Sequence, residues 1–211
     1  MKNKKRATAS PWPSQARRRK HDFDVKRVAI MDTAARLFHE RGYKETSLNE
    51  LATALNVTKP TIYYYFANKE EILRAIKNHC HDEFVRNVVE IRASDRRGID
   101  MIAEAMRRYA RILTSDYGRV VVLIHDRVLT SKGRSAVQDR TTEIDSHLYA
   151  IYDKALSDGD IRPVERHVIH YTLFGALNWS PYWYNPHGKI PPDKLAEMQI
   201  SLLLDGLRVR D

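Results

Sequence analysis

Apolar side chains return along most of this chain at three- and four-residue intervals, the spacing that lines one face of a helix. Val28, Ile30, Met31, Ala34, Ala35, Leu37 and Phe38 carry the pattern first, and Gly42 supplies a left-handed stop behind them. A helix of about four turns is predicted from Val25 onward. Residues 47–50 read "SLNE", with Ser47 as an N-cap and Glu50 three residues on, a capping box ahead of Leu51, Ala52 and Leu55. Thr58 is another N-cap, and Pro60 falls in a first turn where a missing N–H is harmless. A second short helix is therefore predicted from Lys59 to about Tyr65. "AN" interrupts it, and Asn68 with Glu71 caps a longer helix through Ile72, Leu73, Ile76 and Cys80.

Beyond Cys80 no strand alternation is visible and Gly and Pro are sparse. Helical segments are predicted over 80–93, 99–114, 117–130, 134–157, 163–180 and 191–208, with breaks at Gly98, "SDYG", "SKG", "SDGDIRP" and "NPHGKIPP". The expected fold is all-α without internal repeats. It divides into a basic flexible tail (1–24), a helix-turn-helix domain (25–79) and a larger helical domain (80–211). With 211 residues the chain can bury a real core. No apolar run reaches the roughly 18 residues needed to span a bilayer, since "VVVLI" stops at His125 and Asp126. The basic opening residues have no apolar stretch behind them to make a secretory signal. The single cysteine excludes an internal disulfide framework and fits a reducing cytoplasm. A soluble, cytoplasmic protein is expected.

The net charge of +9 changes that picture only once it is located. Lys2, Lys4, Lys5, Arg6, Arg17, Arg18, Arg19 and Lys20 lie within residues 1–21 without one acid, so the remaining residues are nearly balanced, 28 basic against 27 acidic. The tail, with its "ATASPWPSQA", has too little apolar surface to offset the entropy of ordering. It reads either as an arm along phosphates or in a minor groove, or as a solubilising leader.

Two short helices joined by "LNVT" make a helix-turn-helix, whose second helix enters the major groove of DNA. Within "TKPTIYYYFANKE" (58–70), Ile62 and Phe66 are expected to face inward onto Leu51 and Leu55, while Lys59, Thr61, Tyr64 and Tyr65 fall on other faces. A tyrosine hydroxyl can donate to a phosphate oxygen while its ring covers sugar or a thymine methyl, and Lys69 opens the next helix. Alternatively all three tyrosines fill a small core, with Tyr63 the most structural of them.

Residues 32–73, "DTAARLFHERGYKETSLNELATALNVTKPTIYYYFANKEEIL", closely resemble the DNA-binding domain of the tetracycline-repressor (TetR) family. The shared pattern is a G-Y/F-x-x-T-[ST] turn, a V-[ST]-x-x-[ST]-[IL]-Y-x-[HY]-F core and a K-E-E-L start to the fourth helix. The resemblance implies phosphate contacts at Thr46 and Ser47, and a recognition surface made by Lys59, Pro60, Thr61 and Tyr64. It also implies backbone contacts at Tyr63, Tyr65 and Lys69. Leu48 departs from members that carry a base-reading arginine there, and Pro60 stands where glycine is more frequent.

By the same resemblance, residues 80–211 would bind a small-molecule effector and dimerise. The segments 163–180 and 191–208 are apolar over a wide arc, through Val164, Val168, Tyr171, Leu173, Phe174 and Leu177 and through Leu195, Met198, Ile200, Leu202, Leu203 and Leu207. Such an arc exceeds what one core needs and suits the four-helix dimer interface of TetR relatives. A two-fold dimer would read a palindromic operator in double-stranded DNA, its recognition helices about 34 Å apart. Trp179, Tyr182 and Trp183 gather near Pro181 and are candidate ligand-binding residues, with Met106, Tyr109 and Leu113 as an opposite wall. Interface packing is the competing reading of the same aromatics. The stretch from "GDIRP" to "WYNP" is weakly similar to TetR-family regulators of steroid and fatty-acid breakdown that sense acyl-CoA thioesters, and an aromatic or amphiphilic inducer remains open. "HCHDE" (79–83) and Glu165, His167 and His170 lack the ordered spacing of a zinc site, and nothing supplies a catalytic constellation. No metal, cofactor or enzymatic activity is expected. The expected function is a ligand-released repressor. The alternative is a helical oligomer in which the helix-turn-helix serves only as scaffold.

Overall fold

The structure, a computed structural model, describes residues 15–185 and 188–208. The described residues form the helices α1 (Gln15–Arg41), α2 (Leu48–Ala54), α3 (Lys59–Tyr65), α4 (Lys69–Arg92), α5 (Gly98–Thr114) and α6 (Asp116–Leu123), followed by α7 (Ser131–Ser157), α8 (Arg166–Trp183) and α9 (Pro192–Asp205). A 3-10 turn, Asp126–Val128, lies between α6 and α7. Extended pairing is limited, among the described residues, to an isolated antiparallel bridge between Ile161 and Arg208. No helix among them is long and apolar enough to cross a membrane.

Two hydrophobic cores organise the chain, and α4 belongs to both. Its first half gives Ile72, Leu73 and Ile76 to a core with Ala34, Phe38, Leu51, Ile62 and Phe66. Its second half gives Cys80, Phe84, Val88 and Ile91 to a larger core built around α5, α7, α8 and α9. The helix runs unbroken through residue 80, where the sequence predicted one segment to end and another to begin. At 24 residues it is about 36 Å long. The helix α6 is the second bridge. Val120 and Ile124 are buried in the N-terminal core, and Tyr117 OH donates to Asp32 Oδ1 on α1 (2.6 Å).

Other predicted boundaries change, and "SKG", read as a break, is the first turn of α7. Helix α1 begins at Gln15, so residues 15–24, assigned to the tail, are its first turns; the remainder of the tail, 1–14, lies outside the described residues. The predicted 117–130 helix is the short α6 plus the 3-10 turn. The breaks predicted at Gly98 and "SDYG" are present, at residues 93–97 and at Ser115, but the glycines themselves lie in the first turn of the next helix and serve close approach: a Cβ at Gly98 would collide with the backbone of Ala155 on α7, and one at Gly118 with the Ile112 carbonyl. Gly42 keeps its predicted role, with φ +95° and its N–H bonded to the Phe38 carbonyl (3.1 Å).

The N-terminus of α5 is held from the loop after α7. Gly98 N–H donates to Asp158 Oδ2 (2.8 Å), Ile99 N–H donates to the buried Asp160 (3.1 Å), and Arg97 also donates to Asp160. Two carboxylates thus meet helix N–H groups that have no intrahelical partner. "SDGDIRP", read in the sequence as a break, is a clamp that fixes α5 at the centre of the larger core.

Candidate nucleic-acid interface and ligand cavities

The capping box of α2 is present in full: Glu50 N–H donates to Ser47 Oγ (3.2 Å), and Ser47 N–H donates to Glu50 Oε2 (2.7 Å). The turn to α3 passes through Asn56 at φ +53°, a conformation asparagine tolerates better than most residues. Thr58 occupies the predicted cap position, but its hydroxyl pairs with that of Thr61 (3.0 Å) rather than capping α3. Ile62 and Phe66 are fully buried, packed in one core with Leu51 and the half-buried Leu55, so the orientation of α3 is fixed from within. Arg27 of α1 adds a clamp: its guanidinium lies 4.2 Å over the Phe66 ring and donates to the Tyr65 carbonyl (3.3 Å).

What faces outward is Lys59, Pro60, Tyr63 and Tyr64, the last 72% exposed, with Thr61 half-buried. Tyr63, expected to be the structural tyrosine, is half exposed, with the Lys59 ammonium 5.9 Å from its ring centre. The structural one is Tyr65, half-buried and against Phe23 of α1 at 4.8 Å between ring centres. Phe23 also meets Tyr64 edge-on at 5.8 Å. The sequence carried this signal, since Phe23 precedes Ile30 and Met31 by seven and eight residues and so shares their helix face.

Two residues expected at phosphates are occupied elsewhere. Thr46 is buried and donates its hydroxyl to the Gly42 carbonyl (2.8 Å), with that of Leu37 at 3.3 Å. Lys69 donates to the carbonyls of Tyr43 (2.6 Å), Lys44 (3.2 Å) and Thr46 (2.8 Å), and lies 4.4 Å over the Tyr43 ring. An ammonium has three N–H bonds, so this one is spent pinning the α1–α2 loop to the start of α4, and desolvation lowers its pKa. Ser47 remains exposed at the edge of the surface. Leu48 is half-buried against the N-terminal core.

The six expected ligand residues converge in part: Tyr109, Trp179 and Tyr182 border one open cavity of about 390 Å³, together with Val121, Gly175 and Asn178. Tyr109 and Leu113 line an inner chamber of about 200 Å³ between α4, α5, α6, α7 and α8. Met106 is completely buried core. Trp179, Tyr182 and Trp183 are exposed, Trp179 and Tyr182 stacked at 4.8 Å, on the outer side of α8. A larger outer cavity of about 480 Å³ lies among α5, α8 and α9, walled by Leu113, Leu177, Pro181, Tyr184 and Leu195 and reaching His39 of α1 and Arg119 of α6. Leu113 lines both spaces. In the inner chamber, burial with the nearby charges of Arg140 and Lys77 pushes His81 down to about 4, so it is neutral at physiological pH. Burial pushes the Cys80 thiol up to about 12, which makes it unreactive. His170, considered as a metal ligand, faces Asp145 at 3.5 Å, and among the described residues no group of three or more His, Cys, Asp or Glu could hold a metal.

Where α4 passes the end of α6, Lys77 is 3% exposed and donates to Val121 O (3.2 Å), Ile124 O (3.0 Å) and Asp126 Oδ1 (2.7 Å). This latch ties the helix shared by both cores to the helix that bridges them.

Residues 95–207, more than half of the chain, match the family described as tetracyclin repressor-like, C-terminal domain, and residues 30–76 match bacterial regulatory proteins, tetR family. The chain belongs to the TetR family. It is 24% identical over 192 residues to the HTH-type transcriptional repressor KstR2 of Rhodococcus jostii (strain RHA1), covering 86% of this chain and 91% of that one. The crystal structure of AibR in complex with isovaleryl coenzyme A and operator DNA is similar at 28% identity and a TM-score of 0.75, covering 84% of this chain and 97% of AibR. The ketosteroid transcriptional regulator KstR2 of Mycobacterium tuberculosis shares the fold, with a TM-score of 0.79 over 88% of this chain and 96% of that one at 18% identity. In this TetR-family protein the N-terminal match covers α2 and α3 entirely, and the C-terminal match covers α5 through α9.

Proposed function

We propose that this protein is a homodimeric transcriptional repressor, released from a palindromic operator when a small-molecule effector occupies its C-terminal cavities. The observation that carries the reading is α3: a short helix fixed from inside by Ile62 and Phe66 that turns Lys59, Pro60, Tyr63 and Tyr64 to solvent. An aromatic and cationic surface on the second helix of a helix-turn-helix suits phosphate and base-edge contact, with Ser47 adding a contact at its rim. Such a regulator works where its DNA is, in the cytoplasm, and needs no catalytic activity.

The dimer reading rests on α8 and α9. Val168, Tyr171, Trp179 and Tyr182 on α8, with Met198 and Leu202 on α9, expose a large apolar surface of the kind that marks an interaction site. The aromatics first considered for ligand binding are therefore assigned to the interface, and the two cavities to the effector. Replacing Leu202, 75% exposed, by aspartate is expected to leave the monomer fold intact and shift the protein from dimer to monomer in light scattering, because each two-fold interface then buries two unpaired charges. Operator affinity falls with it, since the two recognition helices lose their common frame.

The effector acts by linkage: a ligand that prefers a conformation with misplaced recognition helices weakens DNA binding, and DNA weakens ligand binding equally. The route is α4 and α6, joined by the Lys77 latch. An acyl-CoA thioester is the effector class we favour. Isovaleryl coenzyme A in the AibR complex supports it, as does an apolar outer cavity with Arg119 and His39 at one end to meet an anionic headgroup.

The basic N-terminal residues are proposed to follow flanking phosphates. Deleting residues 1–21 is expected to flatten the slope of log affinity against log salt, by roughly 0.9 for each phosphate that the arm no longer neutralises. An unchanged slope would assign those residues a solubilising role instead.

A further inference from the structure

If the two cavities hold the effector, as proposed above, the inner one constrains its chemistry. A chamber meant for hydrocarbon alone would be lined by hydrocarbon, because each buried polar group without a partner destabilises the fold. This chamber has apolar walls in Phe84, Ile144, Leu148 and Phe174, yet polar groups interrupt them from four helices. Asn178 accepts from Tyr109 OH (2.6 Å) through its Oδ1, which leaves its amide N–H groups to donate. His170 Nε2 faces Asp145 Oδ1 at 3.5 Å, and its Nδ1 is 3.4 Å from Tyr152 OH. His81 carries a buried Nδ1 with no hydrogen-bond partner. Uncompensated polarity of this kind in a native interior calls for an explanation.

Size sets the second limit. A cavity of about 150 Å³ accommodates a benzene ring, so about 200 Å³ holds a six-membered ring with one substituent, or a short branched chain of similar bulk, and the rest of a ligand can reach the open cavity that shares Tyr109 and Asn178. A nucleotide headgroup is far too large for it and would remain in the outer cavity or beyond, on the far side of Leu113.

We infer that the inner chamber selects an effector whose buried end is a small ring or branched chain bearing a carbonyl or hydroxyl oxygen, recognised by Asn178 and His81, in preference to a saturated hydrocarbon end. The oxygen accepts from the Asn178 amide, and a hydroxyl can also donate to or accept from the neutral His81 Nδ1, according to its tautomer. The same chamber borders Lys77 and Asp126, so the recognised group lies against the latch between α4 and α6.

The test uses the full-length protein without DNA and two probes of equal shape, phenol and toluene. Binding is followed by titration of isoleucine and leucine methyl signals, with contacts to Ile144 and Leu148 locating the probe. Phenol is expected to bind in the chamber about tenfold more tightly than toluene. Asn178→Leu should abolish the preference. Because that variant also strips the partner from Tyr109, His81→Leu, which removes a desolvated polar group and should fold, serves as the second test and is expected to narrow the preference severalfold. Toluene binding as well as phenol, binding of neither, or a preference unchanged in both variants overturns the inference. Operator binding is measured separately, so any of these results with an intact operator complex removes the polar-end assignment alone, whereas loss of operator recognition strikes the regulator reading beneath it.

Discussion

Alanine at Tyr64 is expected to weaken operator binding by ten- to a hundredfold for each recognition helix, with the two helices of a dimer compounding the loss, while the folded state is almost unaffected. The magnitude follows from about 1–3 kcal/mol for a well-made contact to base or backbone. The stability expectation follows from 72% exposure: Tyr64 gives up only edge-on packing against Phe23 and Tyr65, about 0.5–1.5 kcal/mol for each pair when buried and less at this exposed position. Lys59→Ala should behave alike and also reduce the salt slope by about one per half-site. Thr46→Ala and Lys69→Ala provide the contrast. Their polar groups are spent on carbonyls of the α1–α2 loop, so their substitution should lower the unfolding midpoint first and DNA affinity only as a consequence. Fluorescence anisotropy on an operator duplex together with thermal unfolding separates the two classes. Full operator affinity in both surface variants would favour the scaffold alternative.

Lys77→Met is expected to destabilise the protein by about 2–4 kcal/mol and to uncouple effector from operator. Lys77 satisfies two main-chain carbonyls and one carboxylate from a nearly inaccessible position. Methionine fills the volume but leaves the carbonyls of Val121 and Ile124 without that donor, at about 1–3 kcal/mol for a buried group. Asp126 is 41% exposed and rehydrates, which keeps the loss below that of a fully buried pair broken on one side. For a chain of this length the unfolding midpoint should fall by roughly 5–15 °C. The functional consequence is more diagnostic. With α6 no longer tied to α4, a ligand in the chamber shifts α6 without carrying the recognition helices, so the variant binds operator and effector separately but is released poorly. Affinities for each, measured with and without the other, read out the coupling directly. An unchanged coupling factor in a folded Lys77→Met protein would assign the lever elsewhere.

The parts of this molecule legible in its sequence are those governed by neighbours a few residues away. Ser47 and Glu50, Asn68 and Glu71, Gly42 and the Ile62–Phe66 pair each act over one turn, and all behave as their spacing implied. The unread parts depend on distant partners. Lys69 looked like a free cation at a helix start because nothing local shows that three carbonyls 23 to 26 residues away converge on it. Polarity placed Gln15 to Asp24 in a tail, whereas Phe23 packing on Tyr64 and Tyr65, which only the tertiary fold creates, belongs to the helix. Gly98 and Gly118 were taken for punctuation when their small size serves close approach to α7 and to the end of α5. The aromatic run near Pro181 was the hardest to assign, since a pocket wall and an interface ask for the same residues. Exposure on α8 favours the interface, and Trp179 and Tyr182 also border an open cavity with Tyr109.

The central claim is that α3, held rigid and presented in duplicate, reads a specific two-fold sequence. Selection of bound fragments from the host's genomic DNA by the purified full-length protein, at near-physiological salt, tests it most directly. The account predicts recovery of a palindrome whose half-sites lie about one helical turn apart, with no such recovery by Tyr64→Ala or Leu202→Asp. Capture of unrelated fragments only, weakening steeply with salt and insensitive to both substitutions, would contradict it.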